Sequence, residues 1–218
     1  MEVDRSLVFI LAEYIGTVAF SASGALLAIE RDLDLLGVVV LGVTTAVGGG
    51  TLRDMLLGIV PPQMFENPGY IIAATATALL IFLFEYTHHG KALDSYLIFE
   101  ESMNVLDAIG LGIFSVMGVQ TSLEQGYGDN AFLTIFMGVL TGVGGGALRD
   151  IMSDQVPAIL KKRVYALASA AGASLYYVLG MTSLRSGFSV LISVGTVILI
   201  RLLAAHYKWS LPKVKKGI

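Results

Sequence analysis

One pattern occurs twice in this chain: AVGGGTLRD, ending at Asp54, and GVGGGALRD, ending at Asp150. The match extends beyond the motif. YIGTVAFSASG (14–24) aligns with AIGLGIFSVMG (108–118), pairing Ile15 with Ile109, Gly16 with Gly110, Phe20 with Phe114, Ser21 with Ser115 and Gly24 with Gly118. Glu30 falls opposite Glu124. After a small insertion Gly42 pairs with Gly138, and Leu52, Arg53, Asp54 and Pro61 pair with Leu148, Arg149, Asp150 and Pro157. YIIAATATA (70–78) matches YALASAAGA (165–173) more weakly. The chain is therefore a duplication, and any fold it adopts has to accommodate two related halves.

Those halves are apolar. Of 218 residues, 55% are hydrophobic and 14% charged, against about 25% charged in a soluble domain, and the mean hydropathy is +0.76. There is too little polar surface to cover a water-facing globule. Seven apolar segments have the length that crosses a hydrocarbon core of about 30 Å: Leu7–Ile29, Leu35–Val60, Tyr70–Tyr86, Val105–Leu123, Ala131–Met152, Val164–Met181 and Phe188–Tyr207. The expected fold is an all-α integral membrane protein of seven transmembrane helices, residues 1–218 forming a single membrane domain. Repeat one spans 7–86, repeat two 105–181, and a seventh helix, 188–207, is appended. The longest link, about 87–104, divides the halves. Each repeat holds three spans, an odd number, so the second enters the membrane from the opposite side. Such inverted repeats place functional sites near the midplane where they meet.

Orientation follows from lysine and arginine. Arg31, Lys91, the KKR run at 161–163 and the tail residues Lys208, Lys213, Lys215 and Lys216 fall on one side, and little beyond Arg5 and Arg185 on the other. The positive-inside rule puts the N-terminus outside and the C-terminus in the cytoplasm, in the cell (inner or plasma) membrane. The first span is not read as a cleaved signal peptide: its flank MEVDRS is net acidic, whereas a signal n-region is basic.

The glycine triplets admit two readings. Gly42, Ala46 and Gly50, like Gly138, Gly142 and Gly146, are spaced by four, the small-residue pattern that lets helices touch. That accounts for the spacing but not for three glycines in a row. A kinked or unwound, water-exposed segment at Gly48, Gly49 and Gly50 and at Gly144, Gly145 and Gly146 accounts for the triplet better, since each glycine costs a helix about 1 kcal/mol relative to alanine and irregular backbone at that depth is tolerated where it lines a cavity. The charges favour this second reading. Arg53 and Arg149 sit about one turn beyond their glycines, and a charge at the bilayer centre costs about 3 kcal/mol or more. Glu13 lies at a depth similar to Arg53, and Asp107 similar to Arg149, so one acid–base pair is expected near each face. Asp54 and Asp150 are expected to point to a different helical face and to bind backbone amides or neighbouring helices. The alternative is that these charges only neutralise one another and lock the fold.

The duplicated GGGxxRD, the 3+3+1 arrangement and the length resemble the prokaryotic branch of the trimeric intracellular cation (TRIC) channel family, over about Leu7 to Tyr207. The same sequence group is also described as glycine-transporter-like. The resemblance implies a homotrimer with one pore per protomer, permeable to potassium, sodium and other monovalent cations. It implies second and fifth helices kinked at Gly48–Gly50 and Gly144–Gly146, lining the pore with the first and fourth, and Arg53 and Arg149 along that path. Arginine favours anions in a pore, so Glu13 and Asp107 are expected to offset it, with freed carbonyls and the hydroxyls of Ser21, Ser115, Thr44, Thr45 and Thr141 coordinating the ion. The arginines are candidate gates, and a secondary transporter of glycine or another small zwitterion is the alternative function.

Other classes find no footing. With no cysteine there is no disulfide, thiolate metal site or cysteine nucleophile. There is no HExxH and no nucleophile elbow, and GVGGGA lies in an apolar span with no preceding strand, so it is not a dinucleotide fingerprint. No enzyme activity, cofactor, metal site or nucleic-acid binding is expected. His88 and His89 read as interfacial polar residues. Trp209, Tyr70, Tyr86 and Tyr207 read as interfacial anchors, and the lysine-rich tail as a contact with anionic lipid headgroups.

Overall fold

A computed structural model describes residues 7–88, 96–161, 164–181 and 187–209, and among them the chain is all-helical. The elements are α1 (Leu7–Glu30), α2 (Leu35–Leu57), α3 (Gln63–Glu66), α4 (Gly69–Thr87), α5 (Tyr96–Glu124), α6 (Ala131–Met152), α7 (Ala158–Lys161), α8 (Tyr165–Met181) and α9 (Gly187–His206). Six of these, α1, α2, α4, α5, α6 and α9, are long and apolar enough to cross a membrane. With 17 residues, α8 reaches about 25 Å at 1.5 Å per residue. The basic residues Arg5, Lys91, Lys162, Arg163, Arg185, Lys213, Lys215 and Lys216, together with His89 and Asp94, lie outside the described residues.

The termini of the helices follow from local chemistry. Asp34 caps α2 by accepting from the Gly37 N–H at 2.8 Å, and Asn130 caps α6 through Leu133 at 3.0 Å, each satisfying a donor with no partner in its own helix. Gly58, at φ 72°, closes α2 in the left-handed conformation that glycine adopts without a Cβ penalty. The helix that carries the fourth apolar segment starts before Val105. Helix α5 begins at Tyr96, so 96–104 of the supposed link are helical. Hydropathy ends at the hydrocarbon boundary, but a helix carrying Glu100, Glu101 and Asn104 can continue into the polar region.

At the centre α2 crosses α6, and here the glycines act. A Cβ on Gly49 would stand 2.2 Å from the Thr141 carbonyl oxygen and 3.1 Å from the Gly145 nitrogen; one on Gly145 would stand 2.1 Å from the Thr45 carbonyl oxygen. Backbone meets backbone, and neither site admits a side chain. The same reciprocity recurs further out. Gly24 lies against the Leu41 carbonyl and the Gly42 Cα, and Gly118 against the Met137 carbonyl and the Gly138 Cα. Gly42 faces Ala78, and Gly138 faces Ala173.

The triplets therefore do not unwind their helices, the second of the two forms, kinked or unwound, that the sequence leads one to expect. Helix α2 is continuous from Leu35 through Leu57, and α6 from Ala131 through Met152. Three glycines in a row have a packing reason, because successive residues turn by about 100° and face three directions. The first receives the partner's leucine: a Cβ on Gly48 would lie 2.6 Å from Leu148 Cδ1, and one on Gly144 3.5 Å from Leu52 Cδ1. The second receives the partner's backbone. The third faces away, Gly50 toward its own Arg53 at 3.8 Å and Gly146 toward the Tyr165 hydroxyl at 2.9 Å.

Because the crossing tolerates no Cβ, Gly49→Ala or Gly145→Ala is expected to lower stability by about 1–3 kcal/mol, the usual penalty of overpacking. Gly195→Ala, where an added Cβ meets nothing within 4 Å, is expected to leave stability unchanged or raise it by up to about 1 kcal/mol through helix propensity. Thermal unfolding of the three variants in one detergent checks the contrast.

Candidate functional site

Helix α6 carries Arg149 one turn past the crossing and buries it, its side chain 3% exposed. Arg149 Nη1 donates to Asp107 Oδ1 at 2.5 Å and Nη2 to Asp107 Oδ2 at 3.3 Å. Its Nε and Nη2 donate to Asp150 Oδ1 at 3.0 and 2.8 Å. Nη1 also donates to the Ser23 hydroxyl, which itself donates to Asp107 at 3.0 Å. Asp150 Oδ2 accepts from the Ala158 N–H, the first of α7, at 2.6 Å. One guanidinium thus holds two carboxylates, with charge-assisted bonds offsetting the cost of removing them from water.

The first repeat places related residues in a related arrangement. Arg53 Nε donates to Asp54 Oδ1 at 2.8 Å and Nη2 approaches the same oxygen at 2.7 Å. Nη2 also reaches Gln63 Oε1 at 3.5 Å, and Asp54 Oδ2 accepts from the Gln63 N–H, the first of α3, at 2.9 Å. Glu13 accepts from the Tyr70 hydroxyl.

The expected pairing of Asp107 with Arg149 is present. Glu13 shares a cavity with Arg53 and has Tyr70 as its hydrogen-bond donor. Asp54 and Asp150 do bind backbone amides, but they do not point away from their arginines. Although neighbouring residues leave a helix about 100° apart, the long arginine side chain folds back, so each aspartate joins its own arginine to the short helix that follows.

Two cavities flank the glycine crossing. On the side of the α1 start and the α2 end, a cavity of about 50 Å³ is lined by Glu13, Thr17, Gly50, Thr51, Arg53 and Phe114, among others; at about 30 Å³ per water it has room for one or two. On the opposite side, a cavity of about 370 Å³ opens among Glu30, Arg31, Glu100, Asp107, Arg149 and Asp150, room for roughly ten. Between them stand Phe20 and Phe114, ring centroids 5.3 Å apart, and the Gly49–Gly145 contact. Ser21 and Ser115, expected to present hydroxyls to a pathway, line neither cavity. Ser21 Oγ donates to the Ala74 carbonyl at 2.6 Å, and Ser115 Oγ bonds the Leu111 carbonyl and Ser169 Oγ, both at 2.6 Å. Thr45 and Thr141 likewise donate to carbonyls of their own helices at 2.6 Å. Buried hydroxyls take the nearest acceptor, here a helix carbonyl.

Sequence reasoning missed three contributors. Tyr70, expected as an interfacial anchor, also donates its hydroxyl to Glu13, whereas Tyr86, Tyr207 and Trp209 are exposed. Tyr165, its match in the aligned repeats, is buried beside Arg149. Arg201, the lone lysine or arginine of α9, is 3% exposed and stacks over the Tyr165 ring at 4.7 Å. The signals existed, in the YIIAATATA–YALASAAGA alignment and in an isolated arginine within an apolar run. His88 lies at the exposed end of α4, a ring nitrogen 2.8 Å from the Phe84 carbonyl. Among the described residues no group of three or more His, Asp and Glu could hold a metal ion.

The family model described as glycine transporter matches this chain twice, over residues 10–86 and 104–181. A UPF0126 membrane protein of Vibrio cholerae is 37% identical over 213 residues, 96% of this chain and 83% of that one. A solved structure concerned with conductance through TRIC cation channels is 36% identical, covers 97% of this chain and 100% of its own, and superposes with a TM-score of 0.82. The TRIC trimeric intracellular cation channel orthologue from Rhodobacter sphaeroides is 32% identical, covers 93% and 99%, and gives 0.83.

Removing Arg149 leaves Asp107 and Asp150 buried without their cation, so Arg149→Gln is expected to cost about 3–5 kcal/mol. Asp107→Asn is expected to cost less, because Arg149 keeps Asp150. The double variant should be more stable than Arg149→Gln alone, a coupling that a double-mutant cycle in chemical denaturation reads directly.

Proposed function

The chain belongs to the membrane-protein family that the glycine-transporter description and the TRIC channel structures share, and we propose that it is a monovalent cation channel, permeable to potassium and sodium, with one pore in each protomer of a homotrimer. In this reading seven helices span the cell membrane as an inverted 3+3 repeat plus α9, with the N-terminus outside and the C-terminus cytoplasmic. The observation that carries the proposal is the pair of cavities bearing charged side chains on opposite sides of the glycine crossing. Each holds an acid and an arginine from corresponding positions of the two repeats.

Two half-pathways meet at the α2–α6 crossing. Glu13 and Asp54 on one side, and Asp107 and Asp150 on the other, outnumber the arginines beside them, which suits cations better than a bare arginine ring would. The conducting state requires the Phe20–Phe114 pair to part and α2 and α6 to shift where glycine leaves no interlocking side chains. Arg53 and Arg149 are the gating candidates, since a charge moved through the full field gains about 2.3 kcal/mol per 100 mV. Gly50 contributes directly to the cavity wall; the other triplet glycines act through the crossing.

A secondary transporter of glycine or another small zwitterion is the second reading. The separation of the two cavities favours it, because an occluded centre with a vestibule on each side is also what alternating access requires.

Planar-bilayer recording of the purified protein in asymmetric potassium chloride separates the two. The channel reading expects discrete unitary currents reversing near the potassium potential, altered by Arg53→Ala and Arg149→Ala. Saturable glycine uptake without unitary currents would instead assign the protein to the carriers.

A further inference from the structure

The third buried arginine has no place in the repeat. Helix α9 lies outside the duplicated halves, so Arg201 has no counterpart in repeat one. Its Nε and Nη2 are buried without a hydrogen-bond partner, as is the Tyr165 hydroxyl beneath it. A guanidinium in this position needs compensating negative charge nearby. That charge is at hand: Tyr165 lies within electrostatic reach of Asp107, Asp150, Arg149 and Arg201 together. The lining of the larger cavity carries Glu30, Glu100, Asp107 and Asp150 against Arg31 and Arg149, a formal net charge of −2, and Arg201 behind the tyrosine ring brings the surroundings to −1. The lining of the smaller cavity carries Glu13 and Asp54 against Arg53, a net of −1 among the described residues.

We propose that Arg201 is a specificity-determining residue of the pathway: placed by α9 behind Tyr165, it offsets the greater negative charge of the larger cavity and so lowers cation occupancy there. This rests on the channel reading above. Arg201 does not touch the permeating ion; it acts through the field it projects on the Asp107 carboxylate, with the aromatic ring holding it at a fixed distance. In general, a unit charge about 10 Å from a site at an effective dielectric of about 20 shifts its cation occupancy by roughly ten- to twentyfold, and mobile ions in a vestibule reduce that to a few-fold.

The test is unitary potassium conductance in symmetric solutions of about 50 mM and about 1 M salt. Neutralisation by Arg201→Gln is expected to raise conductance about two- to fivefold in low salt and to leave it nearly unchanged in high salt, while Arg201→Lys stays near wild type at both. An equal change at both salt levels would identify a purely structural role, stacking α9 on α8, and would overturn the inference. So would no change at either. If Arg201→Gln fails to assemble, Arg201→His carries the test within one protein. Its conductance in low salt should rise between about pH 5 and about pH 8 as the imidazole loses its charge, beyond any change in wild type, and a flat profile would overturn the inference. Absence of wild-type current would remove the channel reading itself, an outcome distinct from wild-type current that Arg201→Gln leaves untouched.

Discussion

Where Gly49 meets the Thr141 carbonyl and Gly145 meets the Thr45 carbonyl, two helices come as close as their backbones permit, and the remaining geometry follows from that contact. Side chains at the crossing would hold α2 and α6 apart and separate the repeats. With glycine there, Leu52 and Leu148 pack across the seam and the Phe20–Phe114 pair sits beside it. Arg53 and Arg149 emerge one turn beyond, on opposite sides. In lipid the apolar driving force between helices is weak, so close van der Waals contact of this kind carries much of the association. The crossing thus both joins the two repeats and stands between the two cavities.

Each arginine then creates a local requirement that the chain meets twice in related ways. The guanidinium needs carboxylates, and it takes the aspartate next to it in sequence, whose second oxygen binds the first N–H of α3 or α7. The proline-containing turns after α2 and α6 return the chain to where that amide is needed. A buried charge is consequently tied to the backbone of the following connection, and any movement of Arg53 or Arg149 is coupled to α3 or α7. Asp107 and Ser23 add a further link in the second half, drawing α1 and α5 onto α6.

Much of this was legible in the residues. The duplication, the apolar segments and the depth-matched pairing of Asp107 with Arg149 needed only spacing and hydropathy, and the fifth segment matches α6 at both ends. What failed did so for identifiable reasons. Unwinding at the triplets is what helix propensity alone suggests, because it counts the cost of glycine within its own helix, and the compensation lies on a second helix 96 positions away in the aligned motif. Asp54 and Asp150 were misplaced because a helical wheel fixes Cβ directions and not the reach of a long side chain. Ser21 and Ser115 looked like pore hydroxyls, yet their helix-packing partners, Ala74 and Ser169, could be found only in three dimensions. Arg201 belongs to no motif, and its role depends on Tyr165, 36 positions earlier in the chain.

The central claim is that two half-pathways carrying buried charges open to opposite sides and are separated at the glycine crossing. The chain contains no cysteine, so single cysteines introduced at Gly50, where a side chain has space, and at Met103, which lines the larger cavity, report without background. In oriented vesicles treated with a charged, membrane-impermeant thiol reagent, Gly50→Cys should be modified from one side only and Met103→Cys from the other only. Modification of both from the same side would contradict the account.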